Sequence, residues 1–258
     1  MRPLALITGA SRGIGRAIAH ALAPEHALVL GGRDRRALDV LVDELRPLAR
    51  GPVNALPCEL ADPADRDRFL GELASLCDQL GAPVQVLVNN AGAAHSAPLA
   101  RTDDEHWAAL MALNLGAPFA LTRALVPGMV RVGWGRVINI ASTAALKGYA
   151  YTAAYTASKA GLVGLTRALA VELASKRVTV NAVCPGFTDT DIVARASENI
   201  QAATGRSADE ARATLARFSP QQRLRSPEEV AALVAYLASR AADGITGQAL
   251  AIDGGETA

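Results

Sequence analysis

Cysteine is scarce in this chain of 258 residues, which contains only Cys58, Cys77 and Cys184. Their positions lack the close spacing of a metal-binding motif, and an odd number leaves at least one thiol unpaired. Chains built on disulfides normally come from oxidising compartments. We therefore expect three small buried hydrophobic side chains, in a cytoplasmic protein without a metal site.

An excess of charge of one sign is also missing, as is a long apolar segment. Lys and Arg total 26 and Asp and Glu total 25, so the net charge does not favour a nucleic-acid or membrane surface. The longest stretch without a charged residue, 79–100, includes two prolines, Gln85, Asn89 and Asn90, unlike a membrane span. The first strand begins almost at residue 1, which leaves no room for a signal peptide. We expect no nucleic-acid and no membrane partner.

Linkers, internal repeats and low-complexity tracts are absent as well, so we expect one domain, 1–258. Short apolar runs alternate with longer amphipathic segments, which is typical of βαβ units in a parallel sheet. The runs are mostly apolar on both faces, as in strands that helices cover on each side. The predicted strands are Leu4–Thr8, Ala27–Gly31, Val53–Pro57, Val84–Asn89, Arg136–Ala141, Val178–Cys184 and Ala249–Ile252.

Several helix starts are marked by local sequence. Asp34 is expected to cap the helix after the second strand. A capping residue stands directly before a proline at Asp62-Pro63 and at Ser226-Pro227, the favoured order at a helix start. Three pairs have the spacing of a capping box, namely Thr102 with Glu105, Ser207 with Glu210, and Ser226 with Glu229.

A glycine-rich turn follows the first strand. Gly9, Gly13 and Gly15 permit a tight turn and let backbone approach a phosphate. The next helix would offer its free N–H groups to a pyrophosphate, and its apolar side comprises Ile14, Ala17, Ile18, Ala21 and Leu22. The spacing is GxxxGxG and differs from GxGxxG, and a purely structural loop is the alternative.

The end of the second strand bears on which dinucleotide would bind. An acidic residue there would bind the adenine ribose hydroxyls and repel a 2′-phosphate, but the position is Gly32, followed by Arg33. Arg33 and Arg12, the arginine of the glycine-rich turn, could together flank a 2′-phosphate. This predicts a preference for NADP(H), with NAD(H) still possible. Two solvated surface arginines are the alternative.

A Tyr and a Lys four residues apart, Tyr155 and Lys159, fall on one face of a helix. A nearby ammonium favours the phenolate, so we expect the pKa of Tyr155 to fall from about 10. Such a phenol can exchange a proton with a carbonyl or an alcohol, and Ser142 at a strand end could hold the same oxygen. The alternative is an alanine-rich helix with an incidental Tyr and Lys.

Polar residues also stand at the carboxyl end of the fourth strand, in the run Asn89-Asn90-Ala91-Gly92. Ligands of doubly wound sheets bind at that edge. Asn114 lies within an otherwise apolar helix, where a buried amide needs partners. An Asn-rich turn and a satisfied core Asn are the alternatives.

These motifs together resemble the short-chain dehydrogenase/reductase family. The chain has TGASRGIG at 8–15, NNAG at 89–92, Asn114, Ser142, Tyr155-x-x-x-Lys159 and Pro185-Gly186 in the family's order. The resemblance extends through ITGQALAIDGG at 245–255. It implies an α/β fold, a doubly wound, seven-stranded parallel sheet of the Rossmann type with helices on both faces.

The resemblance also implies roles for individual residues. Tyr155 would be the acid/base, Lys159 would lower its pKa and bind the nicotinamide ribose, Ser142 would orient the carbonyl, and Asn114 would hold a water in a proton relay. Glu59 replaces an Asp that usually touches the adenine. The implied cofactor-binding residues are Gly9, Ser11, Arg12, Gly13, Ile14, Gly15, Arg33, Glu59, Leu60, Asn90, Ala91, Gly92, Tyr155, Lys159, Pro185, Gly186, Thr188 and Thr190.

The segment 187–225 is expected to form a substrate lid with two helices, near Asp191–Ala203 and Ser207–Phe218. A static pair of surface helices is the alternative. Arg223 and Arg225 could meet the phosphate of a carrier arm, or could be solvated residues before a helix.

Within the family, GRVINIAST at 135–143 and VNAVCPGF at 180–187 resemble 3-oxoacyl-thioester reductases and aromatic polyketide ketoreductases. This implies NADP(H)-dependent reduction of a ketone, carried on ACP or CoA or polyketide-like, and family members commonly form homotetramers. The alternatives are an NAD-dependent alcohol or 3-hydroxyacyl dehydrogenase acting oxidatively, and a non-catalytic nucleotide-sensing protein, which the presence of Ser142, Tyr155 and Lys159 disfavours.

Overall fold

The apolar runs form one seven-stranded parallel sheet in the computed structural model, which describes residues 2–258 apart from the side chain of Ala203. The strand order is β3-β2-β1-β4-β5-β6-β7. The predicted strands are all present, and the ends of three strands are shifted by one residue. The bounds are β1 Leu4–Thr8, β2 Ala27–Gly32, β3 Val53–Pro57, β4 Val84–Asn89, β5 Gly135–Ile140, β6 Val178–Pro185 and β7 Ala249–Ile252.

Nine α-helices of the described chain connect or follow the strands. Their bounds are α1 Gly13–Leu22, α2 Arg35–Leu45, α3 Pro63–Leu80, α4 Asp104–Met111, α5 Ala117–Val132, α6 Ala153–Leu173, α7 Asp191–Thr204, α8 Ala208–Ala216 and α9 Pro227–Ala238. A π-helical turn, Ala112–Gly116, joins α4 to α5. The helices α7 and α8 lie in the segment predicted to be the lid.

Helices cover the sheet on both faces because alternate side chains of each strand point in opposite directions. In β1, Ala5 and Ile7 pack with α1, α2 and α9, whereas Leu4 and Leu6 pack with α3, α5 and α6. All four side chains are at most 1% exposed, and burying one leucine stabilises a fold by about 1.5–3 kcal/mol. The predicted doubly wound fold is therefore confirmed.

Local sequence predicted most of the helix starts correctly. Asp34 and Asp62 cap α2 and α3 by accepting backbone N–H groups, and both Ser207 and Ser226 form complete capping boxes. The predicted box at Thr102 is wrong, because Asp103 is the cap of α4 and accepts from the N–H of His106 at 2.8 Å.

The reason lies in the residues before α4. A short 3₁₀ turn, Leu99–Arg101, directly precedes Thr102, whose hydroxyl donates to the carbonyl of Pro98 at 3.3 Å. The side chain of Thr102 is thus bonded to the preceding turn.

A second difference concerns α1, where Ala21 is exposed and does not lie on the apolar side of the helix as predicted.

One helical run, 104–132, is long and apolar enough to cross a membrane by length and composition alone. It comprises α4, the π-helical turn and α5. Ala117, Leu121 and Met129 of this run are each at most 1% exposed and pack in the core beneath the sheet. One face of the run therefore packs in the core, and 39% of its most apolar window is buried.

The strand order places β1 beside β4 at the centre of the sheet. Successive connections leave these two strands in opposite directions, so a crevice opens at their carboxyl ends. The polar residues after β1 and β4 therefore meet at one edge.

Candidate active site

The glycine-rich turn after β1 is fastened to the end of β4. The amide nitrogen Nδ2 of Asn90 donates to the carbonyls of Thr8 at 2.9 Å and Gly9 at 3.1 Å. The hydroxyl oxygen of Thr8 accepts from the backbone N–H groups of Asn90 and Ala91, each at 3.0 Å. The two loops flanking the crevice are thus one hydrogen-bonded unit.

Close packing explains a glycine at position 15. A Cβ there would lie 2.1 Å from the carbonyl oxygen of Gly9 and 2.6 Å from Nδ2 of Asn90. Backbone conformation explains the other two glycines, since Gly9 and Gly13 have φ of 62° and 51°, a region that disfavours other residues.

We expect Gly15→Ala to disrupt this turn, because the methyl group collides with backbone that cannot move without breaking the Asn90 contacts. NADPH affinity should fall at least tenfold, as the fluorescence of titrated NADPH would show, with a loss of about 2 kcal/mol or more in unfolding free energy. Gly71→Ala in α3 is the matched control, since a Cβ there meets nothing within 4 Å. Equal NADPH affinity in the two variants would contradict this account of the turn.

The first turn of α1 is suited to an anion. Arg12 occupies the capping position with extended backbone, and its side chain accepts no hydrogen bond from the helix. The leading N–H groups of a helix that lack a side-chain cap are a binding site for phosphate. Ser11, Gly13, Ile14 and Gly15 lie at this helix start, where the sequence predicts that a dinucleotide pyrophosphate binds.

Both arginines predicted to meet a 2′-phosphate are present at the surface, each beside a carboxylate. Arg12 lies 3.0 Å from Asp191, the first residue of α7, and Arg33 lies 3.4 Å from Glu59. The four side chains are between 42% and 70% exposed. Exposed pairs of this kind contribute about 0–1 kcal/mol, so a phosphate could compete for either guanidinium.

Glu59 and Leu60, the residues predicted beside the adenine, differ in their surroundings. The Glu59 carboxylate also accepts from the N–H of Ala61 at 3.3 Å. The side chain of Leu60 is 5% exposed and packs in the core. Its carbonyl accepts from Arg66 at 3.0 Å.

Asn89, at the end of β4, points into the core. Its Nδ2 donates to Oδ1 of Asn139 at 2.8 Å, and Nδ2 of Asn139 donates to Thr166 at 2.8 Å. These bonds tie β4 to β5 and α6. Of the polar run predicted at this edge, Asn90 reaches the glycine-rich turn, and Asn89 is a buried structural residue.

Asn114 lies in the π-helical turn between α4 and α5 and is buried. Its Nδ2 donates to the carbonyl of Ala93 at 2.9 Å and to the hydroxyl of Ser158 at 3.1 Å. Its Oδ1 accepts from the N–H of Ala93 at 3.0 Å. The side chain therefore holds the loop after β4 against α6, and π-helical turns of this kind recur at functional sites.

Lys159 is buried on α6, and its Nζ donates to the carbonyl of Ile140, the last residue of β5, at 2.8 Å. A Cβ on Gly92 would lie 3.3 Å from this Nζ and 3.1 Å from Oδ1 of Asn114. Gly92 therefore lets the loop after β4 approach both side chains.

Tyr155 lies one turn before Lys159 on α6, with Nζ 5.9 Å from the centre of its ring. Ser142 follows β5 in extended conformation, and its Oγ accepts from the N–H of Ala144 at 3.1 Å. The Ser142 side chain is also close enough to the Tyr155 phenol to lower its pKa. The structure therefore brings Ser142, Tyr155 and Lys159 together at the carboxyl edge of the sheet.

The expectation that the pKa of Tyr155 falls is wrong. Burial raises the pKa of the phenol, and the nearby Ser142 side chain lowers it by a smaller amount. Burial also lowers the pKa of Lys159 to about 8 and raises the pKa of the neighbouring Cys184 to about 11. Desolvation penalises every charged form here, so a protonated, neutral Tyr155 is the dominant form at neutral pH.

The turn after β6 completes this edge. Pro185 is buried at the end of β6, and Gly186 approaches the C-terminal segment closely, since its Cβ would lie 3.2 Å from Asp253. Thr190 precedes α7 and lies beside the glycine-rich turn, since its Cγ2 would be 3.1 Å from a Cβ added to Gly13. Thr188 is buried, and its hydroxyl donates to the carbonyl of Gly186 at 3.0 Å.

Arg223 and Arg225, for which a carrier-arm contact was one of two alternatives, both bond neighbouring residues of the chain. Both terminal nitrogens of Arg223 donate to Glu229, at 2.7 and 2.6 Å. Arg225 is 3% exposed and bonds Gln221 and the carbonyl of Arg223. Arg225 is therefore a buried structural residue, and the alternative that it is a solvated residue before a helix is wrong.

Two residues at this edge escaped sequence reasoning. Glu256 in the C-terminal segment bonds the hydroxyl of Tyr149, a residue of the loop after Ser142. No local pattern marks either residue, because the contact joins positions 107 residues apart.

The family comparison bears directly on this arrangement. A family model described as short chain dehydrogenase matches residues 3–201. The chain belongs to the short-chain dehydrogenase family. It is thus an oxidoreductase, as the motifs predicted.

Individual relatives resemble the chain over nearly its whole length. It is 38% identical to nodulation protein G of Azospirillum brasilense, covering 98% of this chain and 97% of the relative. It is also 38% identical to 3-oxoacyl-(acyl-carrier-protein) reductase FabG of Vibrio cholerae, covering 98% and 96%. A crystal structure of a variant of actinorhodin polyketide ketoreductase with NADPH superimposes with a TM-score of 0.92 and 36% identity, covering 99% and 97%.

Proposed function

We propose that this member of the short-chain dehydrogenase family is an NADPH-dependent carbonyl reductase. The observation that carries the proposal is the meeting of Ser142, Tyr155 and Lys159 beside a glycine-rich turn with an uncapped helix start. Two relatives support it, a 3-oxoacyl-(acyl-carrier-protein) reductase and a polyketide ketoreductase solved with NADPH.

Bound NADPH would supply the hydride that reduces the carbonyl carbon. Residues of the chain would bind and protonate the carbonyl oxygen of the substrate. Ser142 would hold it by a hydrogen bond, and the neutral phenol of Tyr155 would donate its proton as negative charge develops. The raised pKa of Tyr155 suits this donor role at neutral pH.

Lys159 would bind the nicotinamide ribose and stabilise negative charge on Tyr155 after proton transfer. Its Nζ faces the loop of Gly92 and the side chain of Asn114. We propose that Asn114 shapes the proton path chiefly by holding this loop and α6 in place, since its amide is already bonded to Ala93 and Ser158.

The proposed substrate is a 3-oxoacyl thioester on ACP or CoA, or a polyketide-like ketone. A screen of NADPH oxidation with acyl thioesters, cyclic ketones and aromatic ketones tests both the reaction and the class. We expect turnover with at least one class, and absence of NADPH oxidation with all three would contradict the proposal. Related proteins named for nodulation and for 3-oxoacyl reduction are equally identical to this chain, so identity alone does not choose the substrate.

Arg12 and Arg33 are proposed to bind the 2′-phosphate of NADPH. We expect Arg33→Ala to weaken NADPH binding about tenfold, the worth of one charge-assisted contact, with NADH affinity changed less than twofold. Fluorescence titration of both dinucleotides measures this. Arg36→Ala, which removes an exposed arginine from the first turn of α2, is the control. A wild-type protein that binds NADH as tightly as NADPH would refute both arginine roles.

We also propose a cytoplasmic location and a homotetrameric assembly. Cys58, Cys77 and Cys184 are free thiols, which suits the reducing cytoplasm. A homotetramer is proposed through the surfaces of α5 and α6, where Phe119 and Val171 are 45% and 84% exposed.

A further inference from the structure

The hydroxyl of Ser142 is oriented by a short turn that follows β5. Ser142 caps a 3₁₀ turn, Thr143–Ala145, and its Oγ accepts from the N–H of Ala144 at 3.1 Å. The carbonyl of Thr143 accepts from the N–H of Lys147 at 3.0 Å, which closes the turn. Because a serine oxygen that accepts one hydrogen bond still has its own proton to donate, the place of this turn sets where Ser142 can meet a substrate oxygen.

Glu256 places a buried carboxylate beside the segment that follows this turn. It comes after β7, and its side chain is 1% exposed. Its Oε1 lies 3.1 Å from Nζ of Lys147, and the same Nζ donates to the backbone carbonyl of Glu256 at 3.3 Å. Oε1 also accepts from the hydroxyl of Tyr149. A buried carboxylate is costly unless it is paired and hydrogen-bonded, so Glu256 holds both partners close.

The hydrogen-bond directions connect Glu256 with the first residue of the turn. An ionised carboxylate can only accept, so Tyr149 donates its one proton to Glu256. The Tyr149 oxygen lies 2.7 Å from the hydroxyl of Thr143, which must then donate to it. Thr143 is 3% exposed, which shields this bond from water. Through Tyr149, Glu256 thus reaches the start of the turn, and its ion pair with Lys147 reaches the other end.

The C-terminal segment that carries Glu256 is itself tightly folded. It directly follows β7, which pairs with β6 in the sheet. The carboxylate of Asp253 accepts from the N–H groups of Gly255 and Thr257, each at 2.9 Å, and from the Thr257 hydroxyl at 2.6 Å. Glu256 lies inside this bonded segment, so its carboxylate keeps a fixed place relative to the sheet.

We propose that Glu256 is a positioning residue for the reaction, and that it acts through Ser142 by holding the turn that Ser142 caps. The proposal rests on the carbonyl reductase function and adds to its active site a residue that does not touch the substrate. Without the carboxylate, Lys147 and Tyr149 lose their common partner, and the bond from Thr143 loses its fixed acceptor. The turn can then shift, and the hydroxyl of Ser142 leaves the position from which it would bind the carbonyl oxygen.

A double-mutant cycle between Glu256 and Ser142 tests this proposal. Acetoacetyl-CoA, cyclohexanone and acetophenone serve as probes, and the ketone that wild type reduces fastest with NADPH is used for the cycle. Glu256→Ala should lower kcat and kcat/KM by the same factor of about ten, since misplacing a group that acts in the transition state costs rate and not binding. The NADPH dissociation constant should change less than twofold.

The decisive measurement is the effect of Glu256→Ala in a Ser142→Ala background. Ser142→Ala alone should lower kcat about a hundredfold, the cost of one donor to the developing oxyanion. Adding Glu256→Ala should then change kcat less than twofold, because the residue through which Glu256 acts is already gone. A residue that only stabilises the fold would lower kcat by the same factor in both backgrounds.

Three further variants separate the hydrogen bonds from other effects. Glu256→Gln keeps an oxygen that accepts from Tyr149 and should retain kcat within about threefold of wild type. Tyr149→Phe keeps the ring but breaks the link to Thr143, so it should lower kcat several-fold in wild type and not in Ser142→Ala. Glu228→Ala removes an exposed carboxylate from the first turn of α9 and is the matched control with unchanged kcat.

The outcomes distinguish this proposal from the function on which it rests. If wild type reduces a probe ketone and Glu256→Ala keeps the wild-type kcat, or lowers it equally in both backgrounds, the positioning role alone is overturned. If Glu256→Ala does not fold, the same result in Tyr149→Phe overturns it instead. A wild-type protein that reduces none of the three ketones contradicts the carbonyl reductase function together with this inference.

Discussion

Replacing Tyr155 with Phe should lower kcat for ketone reduction by about 10²–10⁴-fold, the range associated with losing a positioned general acid. Phe keeps the aromatic ring but lacks the proton that the reduced oxygen needs. Because the hydroxyl of Ser142 remains, some orientation of the carbonyl should survive, so the loss should fall mainly on kcat. Initial rates of NADPH oxidation measure the effect.

Two controls separate this loss from misfolding. NADPH affinity of Tyr155→Phe, measured by fluorescence titration, should stay within a few-fold of wild type. Tyr236→Phe removes a hydroxyl from a tyrosine that is 45% exposed on α9 and should leave kcat unchanged. Turnover at the wild-type rate by Tyr155→Phe would exclude the proposed acid role.

Replacing Lys159 with Met should abolish most activity while making the protein more stable at neutral pH. Loss of the ammonium removes the charge proposed to stabilise the Tyr155 phenolate and to bind the ribose, so we expect kcat/KM to fall at least about a hundredfold. The stability effect has the opposite sign because the ammonium is buried, with the carbonyl of Ile140 as its hydrogen-bond partner.

The pH dependence follows from the pKa of Lys159, which burial lowers from 10.5 to about 8. Between these values the unfolded chain binds the proton and the folded chain releases it, so wild-type stability rises with pH across this window. Below about pH 8 the native state carries the whole cost of the buried charge, about 3 kcal/mol. The lost hydrogen bond to Ile140 offsets about 1 kcal/mol of this.

We therefore expect the unfolding free energy of Lys159→Met to exceed that of wild type by about 2 kcal/mol at pH 7. The difference should shrink as the pH rises from 8 towards 10.5. Denaturant unfolding at several pH values measures it, and Lys176→Met, at an exposed lysine after α6, should show no such trend. A variant less stable than wild type at pH 7 would show that the buried ammonium is better compensated than its contacts indicate.

A buried lysine of this kind illustrates how a functional site can reduce stability. Among the described contacts of Lys159 there is no carboxylate that could offset its charge. The nearby thiol of Cys184 stays neutral because burial raises its pKa. The fold tolerates this cost because the surrounding sheet and helices bury a large apolar core on both faces.

The sequence by itself determined the strands, most helix caps and the identity of the motif residues. Each of these depends on short-range physics, such as the period of apolar residues in β1, the cap at Asp62 before Pro63, or the glycine spacing after Thr8. Because these signals are local, they are visible along the chain, and their order was sufficient to indicate the short-chain dehydrogenase family. The adjacency of the loops after β1 and β4 followed from the parallel topology.

Only the tertiary structure decided the pKa shifts and the hydrogen-bond partners of the site residues. The pKa of Tyr155 rises although Lys159 is one turn away, because the degree of burial cannot be read from spacing. The amide of Asn114 is occupied by Ala93 and Ser158, and Arg225 lies buried beneath a turn, for the same reason. The contact of Glu256 with Tyr149 joins distant positions, and desolvation and long-range pairing exist only once the chain has folded.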